Sequence, residues 1–311
     1  MSQPALNARH NAPAGVTYTS VRHAGRTMMK EMFPGFLNGT SNAIIPPLFI
    51  NALPEEVGED GKIVPGPNIG PTKLKGPTHW KRGEDLEVII YRRFEQIFSS
   101  NSFKECQMLW KGLTIDGFKT NALVVDHPEL KERVSEFCKN YTKKNAKILG
   151  EADFVVFVKD VGVVVVEVKH SLQKINEAKK QCDRIADFID IVFESCVPGK
   201  TLPIIKVVMF GESKSNTSTG DKSVTQAICT KETDLDTWIF YKEAFDTEDN
   251  FCASWQKVLM DVKQFKGRSQ VAEEELEDLA SMITGFWSMV CFDGTLNCKG
   301  ESSNYKKRYM N

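Results

Sequence analysis

The chain has 311 residues, 41% of them hydrophobic and 26% charged, with a formal net charge of −1. That length suffices for one large buried core or two modest ones, and the composition is ordinary for a folded, water-facing protein. The near-neutral balance excludes a global basic field for nucleic acid, so any such groove must be local. No run reaches the roughly 18 apolar residues of a membrane-spanning helix, and the opening segment lacks the basic-then-apolar pattern of a secretion signal. Cys106, Cys138, Cys182, Cys196, Cys229, Cys252, Cys291 and Cys298 form no C-x-x-C pair and lie mostly in apolar stretches. Free, buried thiols in a reducing setting are expected, and with them an intracellular place, cytoplasmic or nuclear.

Residues 1–80 are expected to form a proline- and glycine-rich arm, partly disordered. Seven prolines fall between Pro46 and Pro77, and one short helix is predicted from Ala24 to Met32, ending before Pro34. From Gly83 the pattern changes. Leu86, Ile90, Phe94, Ile97 and Phe98 recur at helical spacing up to about Ser99. Two short strands are expected at about 106–111 and 118–126. A charged helix then starts at Pro128 and runs to about Lys144, with Val134, Phe137 and Cys138 inward.

The clearest segment follows. Ala152–Val158 and Gly162–Val168 are dense in valine and phenylalanine and flank the turn Lys159-Asp160-Val161, which predicts a β-hairpin buried on most of its surface. A helix is predicted from Leu172 to Glu194, with Ala178, Cys182, Ile185 and Ile189 on one stripe, and Leu202–Phe210 as a buried strand. The polar stretch Ser213–Ser223 reads as a loop. Residues 237–265 and 271–290 read as helices. The resulting division is a core over 81–212, with a helical insertion near 129–145, and a helical C-terminal extension over 224–311. The fold class is α/β (α+β), a central mixed sheet flanked by helices.

Side chains alternate along a strand, so Glu167 and Lys169 share a face. They interrupt an otherwise apolar run, Val163 to Val166. With a three-residue turn at 159–161, Asp153 falls opposite Glu167, with Cβ atoms roughly 4.5–5.5 Å apart. Two such carboxylates repel unless a cation lies between them. A hard divalent ion such as Mg²⁺, or Mn²⁺, would resolve the conflict, with Lys169 near to hold a water or a phosphate. A bare Glu-x-Lys at a strand end is otherwise a surface pair worth under about 1 kcal/mol. On the first long helix Glu87 projects from the apolar stripe while Glu84 lies at its margin, and on the later helix Gln181 sits at the stripe's edge. Asp126, His127 and His170 are weaker candidates, as are Lys214 and Lys222 in the polar loop.

The stretch Gly150-Glu151-Ala152-Asp153-Phe154-Val155-Val156, followed by Val166-Glu167-Val168-Lys169, resembles the core of the PD-(D/E)xK nuclease superfamily. Within it the likeness is nearest to the NERD (nuclease-related) domains. The resemblance covers roughly residues 83–211 and implies a restriction-endonuclease-like core of helix, three antiparallel strands, helix and strand. It further implies that Asp153 and Glu167, with the Val168 backbone carbonyl, bind Mg²⁺ or Mn²⁺. Lys169 would then position the attacking water, Glu87 would be the first-helix glutamate and Gln181 the later-helix glutamine. The activity implied is phosphodiester hydrolysis, with DNA the expected partner ahead of RNA and no membrane involved. The segment between the first helix and Gly150 is longer than in compact members of that family. A catalytically silent nuclease-fold module, binding nucleic acid or protein, is the alternative, and an interaction protein with an incidental Glu-Val-Lys strand end is a third reading. No phosphate-binding loop, nucleophile elbow or H-E-x-x-H motif is present.

Overall fold

The most valine-rich stretch of the chain lies at the centre of its sheet. A computed structural model describes residues 18–32, 56–57, 63–64, 78–98, 103–114, 127–141, 151–213, 228–232, 236–264 and 271–292. In chain order the elements are α1 (Tyr18–Met32), β1 (Glu56–Val57), β2 (Ile63–Val64), α2 (Thr78–Phe98), β3 (Cys106–Thr114) and α3 (Pro128–Tyr141). They continue with β4 (Glu151–Val158), β5 (Gly162–Lys169), a 3-10 turn (Leu172–Lys174), α4 (Ile175–Cys196), β6 (Ile204–Phe210), β7 (Cys229–Lys231) and β8 (Thr237–Phe240). A second 3-10 turn (Lys242–Ala244), α5 (Glu248–Gln264) and α6 (Glu273–Phe292) complete it.

The fold is α+β. β1 and β2 form a two-residue ladder apart, and the main sheet has six strands in the order β3-β4-β5-β6-β8-β7. β3, β4 and β5 pair antiparallel, β5–β6 and β6–β8 pair parallel, and β7 returns antiparallel on β8. β5 is therefore central and covered on both faces, which is why its valines run without polar alternation. Val163, Val164, Val165 and Val166 are all fully buried, each worth roughly 1.5–3 kcal/mol of transfer free energy.

The two faces have different covers. Phe154, Val156, Val164, Val166 and Met209 meet α2 and α5 through Phe94, Phe251 and Trp255. Val155, Phe157, Val163, Val165 and Val208 meet α4 through Cys182, Ile185 and Ile189. On that second side α3 leans on α4, joined by Arg133–Glu194 and Tyr141–Asp187 hydrogen bonds, and α6 also packs against α4. The N-terminal arm contributes α1, longer than the predicted Ala24–Met32, which lies along α6. Gly25 and Gly285 permit that contact: a Cβ on Gly25 would stand 1.8 Å from the Ser281 carbonyl, and one on Gly285 2.3 Å from that of Val21. Arg22–Asp278 and Arg26–Glu277 pairs flank the crossing.

Two expectations are corrected. The helix predicted over 237–265 begins at Glu248, because Thr237-Trp238-Ile239-Phe240 is a strand of β-branched and aromatic residues paired to β6. The region from 224 is accordingly not only helical, since β7 and β8 extend the central sheet and α5 supplies Trp255 to its core. The strand predicted at 118–126 and the loop residues Lys214 and Lys222 lie outside the described residues.

Candidate functional site

The site is built at the end of the β4–β5 hairpin. Asp160 takes a left-handed conformation (φ 57°), tolerable for a short polar residue, and Val161 N–H donates to the Val158 carbonyl at 3.1 Å. This three-residue turn sets the register Val158↔Gly162 through Phe154↔Val166. One further step of that register brings Asp153 opposite Glu167. Alternation then puts Asp153, Glu167 and Lys169 on the face covered by α4, with Val155, Val163 and Val165.

Asp153 Oδ2 accepts the Val168 N–H at 2.6 Å, a short bond that holds the carboxyl beside β5. A residue's N–H and C=O leave a strand on the same side, so the Val168 carbonyl faces that edge too. Glu167 is fully buried and its Oε1 accepts from the Lys169 ammonium. The same Lys169 Nζ donates to Gln181 Oε1 on α4 at 3.4 Å. Burial raises the Asp153 carboxyl well above the usual carboxylate range, and the charges of Glu167 and Glu87 raise it further, against Lys169 and the Val168 N–H. For Lys169, burial alone would lower the pKa, but Glu167 and Asp153 together hold it above its ordinary value. Cys182 lies beneath, its thiol pushed up by burial and then by Glu167 and Asp153.

Asp153, Glu167, Lys169 and Gln181 therefore come together from β4, β5 and α4. The weaker candidates do not join them. His127 Nδ1 accepts the Leu130 N–H at 3.1 Å, which makes it a cap of α3. His170 is exposed. Asp126 lies outside the described residues. Sequence reading missed Glu212, whose carboxylate accepts from Leu172 N–H at 2.9 Å and Ser171 Oγ at 3.3 Å. It anchors the start of α4 and hence the placement of Gln181. Nothing local announces this contact, because 40 residues separate Leu172 from Glu212.

The available donors, the carboxyl oxygens of Asp153 and Glu167 and the Val168 carbonyl, are of the oxygen type that a hard divalent ion takes. In the present arrangement Lys169 holds Glu167 and the Val168 N–H holds Asp153. Among the described residues no three His, Cys, Asp or Glu side chains meet at ion-binding distance, so an ion would require a side-chain adjustment. No described helix is long and apolar enough to cross a membrane. No family model, no curated protein and no solved structure matches the chain.

Proposed function

We propose that the chain is a divalent-metal-dependent nuclease with a restriction-endonuclease-like core, hydrolysing phosphodiester bonds of DNA, or of RNA. The observation that carries this reading is the convergence of Asp153, Glu167, Lys169 and Gln181 from three separate elements, β4, β5 and α4. The order α2, β3, β4, β5, α4, β6, with α3 inserted between β3 and β4, supports it, since apart from that insertion it is the helix, three antiparallel strands, helix and strand that the resemblance implies.

Asp153 and Glu167 would hold Mg²⁺ or Mn²⁺, with the Val168 carbonyl on the same edge and Glu87 as a third acid. Such an ion, when bound, supplies Lewis acidity and a more acidic water. The chain's own residues do the rest. Asp153 is oriented by the Val168 N–H, so its free oxygen has a fixed direction. Lys169 carries a cationic head at 21% side-chain exposure, reachable by a phosphate, and offsets negative charge growing on the non-bridging oxygens. Gln181 limits the range of that head.

The test is incubation with single- and double-stranded DNA and RNA in Mg²⁺, Mn²⁺ or EDTA. Cleavage is expected only with the ion, and Lys169→Ala should lower it by about 100- to 1000-fold, the scale of losing one charge-stabilising group. Cleavage in EDTA, or in both Lys169→Ala and Asp153→Ala, contradicts the mechanism. The closed Glu167–Lys169 pair favours one other reading, a nuclease-fold module that binds nucleic acid or protein without cutting. Nucleic-acid retention with no cleavage under any ion would select it.

A further inference from the structure

We propose that Lys169 is the resident counter-cation of the acidic cluster, and that a divalent ion binds by displacing its ammonium from Glu167 onto Gln181. The inference rests on the ion-binding half of the reading above and adds how the site is kept closed. Glu167 is wholly buried, and a buried carboxylate needs a compensating charge. Lys169, two residues on along the same strand face, folds back to supply it.

Of Asp153, Glu167 and Lys169, the lysine carries its charge on the longest and most flexible stem. Asp153 is fastened to the Val168 N–H, and Glu167 is enclosed by the sheet and α4. The lysine has a flexible four-carbon stem and three donors that turn to suit their partners. It already touches its second seat, since Nζ lies 3.4 Å from Gln181 Oε1, a long bond that shortens if the head leaves Glu167. An amide oxygen is neutral, so Gln181 receives an ammonium without a second anion competing for the ion. Charge balance favours the exchange. Two carboxyl groups, Asp153 and Glu167, face one ammonium, and a divalent ion entering where the ammonium stood can balance both while keeping the lysine nearby.

This assigns opposite signs to two substitutions. Removing the lysine head frees Glu167, so Lys169→Met should bind Mn²⁺ more tightly, by roughly tenfold, the lower end of what a neighbouring charge does to cation affinity. Gln181→Leu removes the second seat and should weaken Mn²⁺ binding by about threefold, but only while Lys169 is present. In the double variant the affinity should equal that of Lys169→Met alone. The experiment is calorimetric titration of the full chain and these three variants with Mn²⁺, with a melting curve for each. Lys169→Gln, which keeps a polar head, replaces Lys169→Met if the latter does not fold. Equal or weaker Mn²⁺ affinity in the lysine variants overturns displacement while leaving the ion site standing. Absence of Mn²⁺ binding in every form overturns both.

Discussion

On the face that meets α2 and α5, the hairpin of β4 and β5 is closed over by aromatic rings. Phe94 lies 5.5, 5.1 and 5.0 Å, ring centre to ring centre, from Phe154, Phe251 and Trp255, at the tilted and edge-on angles that aromatic pairs prefer. On the face that meets α4, the same two strands run from Val155 and Val165 into Asp153, Glu167 and Lys169. The first face is assembled for stability and the second stores a conflict. Anionic groups are brought together out of water, so the fold is less stable than a neutral arrangement of the same shape would make it. Such an arrangement is what an ion site needs before its ion arrives.

The comparison breaks if the two faces respond alike to small changes. The largest effect is expected at Phe94→Ala, which deletes a fully buried ring among four aromatic neighbours. A loss of about 4 kcal/mol should appear as a lowered midpoint in denaturant unfolding. A loss below about 1 kcal/mol would mean that this face is not the stabilising one.

Asp153→Asn should move stability the other way, by about 1 kcal/mol upward at neutral pH. The sign follows from the direction of the shift. An Asp153 carboxyl raised in the folded state favours the protonated form, so the stability it contributes is complete below the unfolded value of roughly 3.9 and is lost as pH rises through the folded one. Asparagine resembles the protonated form at every pH and still accepts the Val168 N–H. Its gain should therefore be present at pH 7 and absent below about pH 4. Thermal melts of both proteins across that range check it, and a destabilised Asp153→Asn at pH 7 would refute the stored conflict.

Much of this second face is legible in the sequence, for physical reasons. The valine runs and the three-residue turn specify the hairpin, and pleat alternation then brings Asp153, Glu167 and Lys169 to one side. Gln181 is legible because it borders the stripe of α4. What is not legible comes from contacts distant in sequence. Four residues at Thr237–Phe240 are too few to show a period, so their strand is hidden before a long helix. The α1–α6 crossing depends on Gly25 meeting the backbone of Ser281, and Glu212 reaches α4 across 40 residues. The hold of Lys169 on Glu167 is a rotamer choice, which residue identity does not determine.

The most direct test of the central claim is a crystal structure of the protein soaked in Mn²⁺, with anomalous scattering recorded at the manganese edge. A peak is expected about 2.2 Å from carboxylate oxygens of both Asp153 and Glu167, with the Lys169 ammonium shifted toward Gln181. Well-ordered density for all five side chains with no manganese between Asp153 and Glu167 would contradict it.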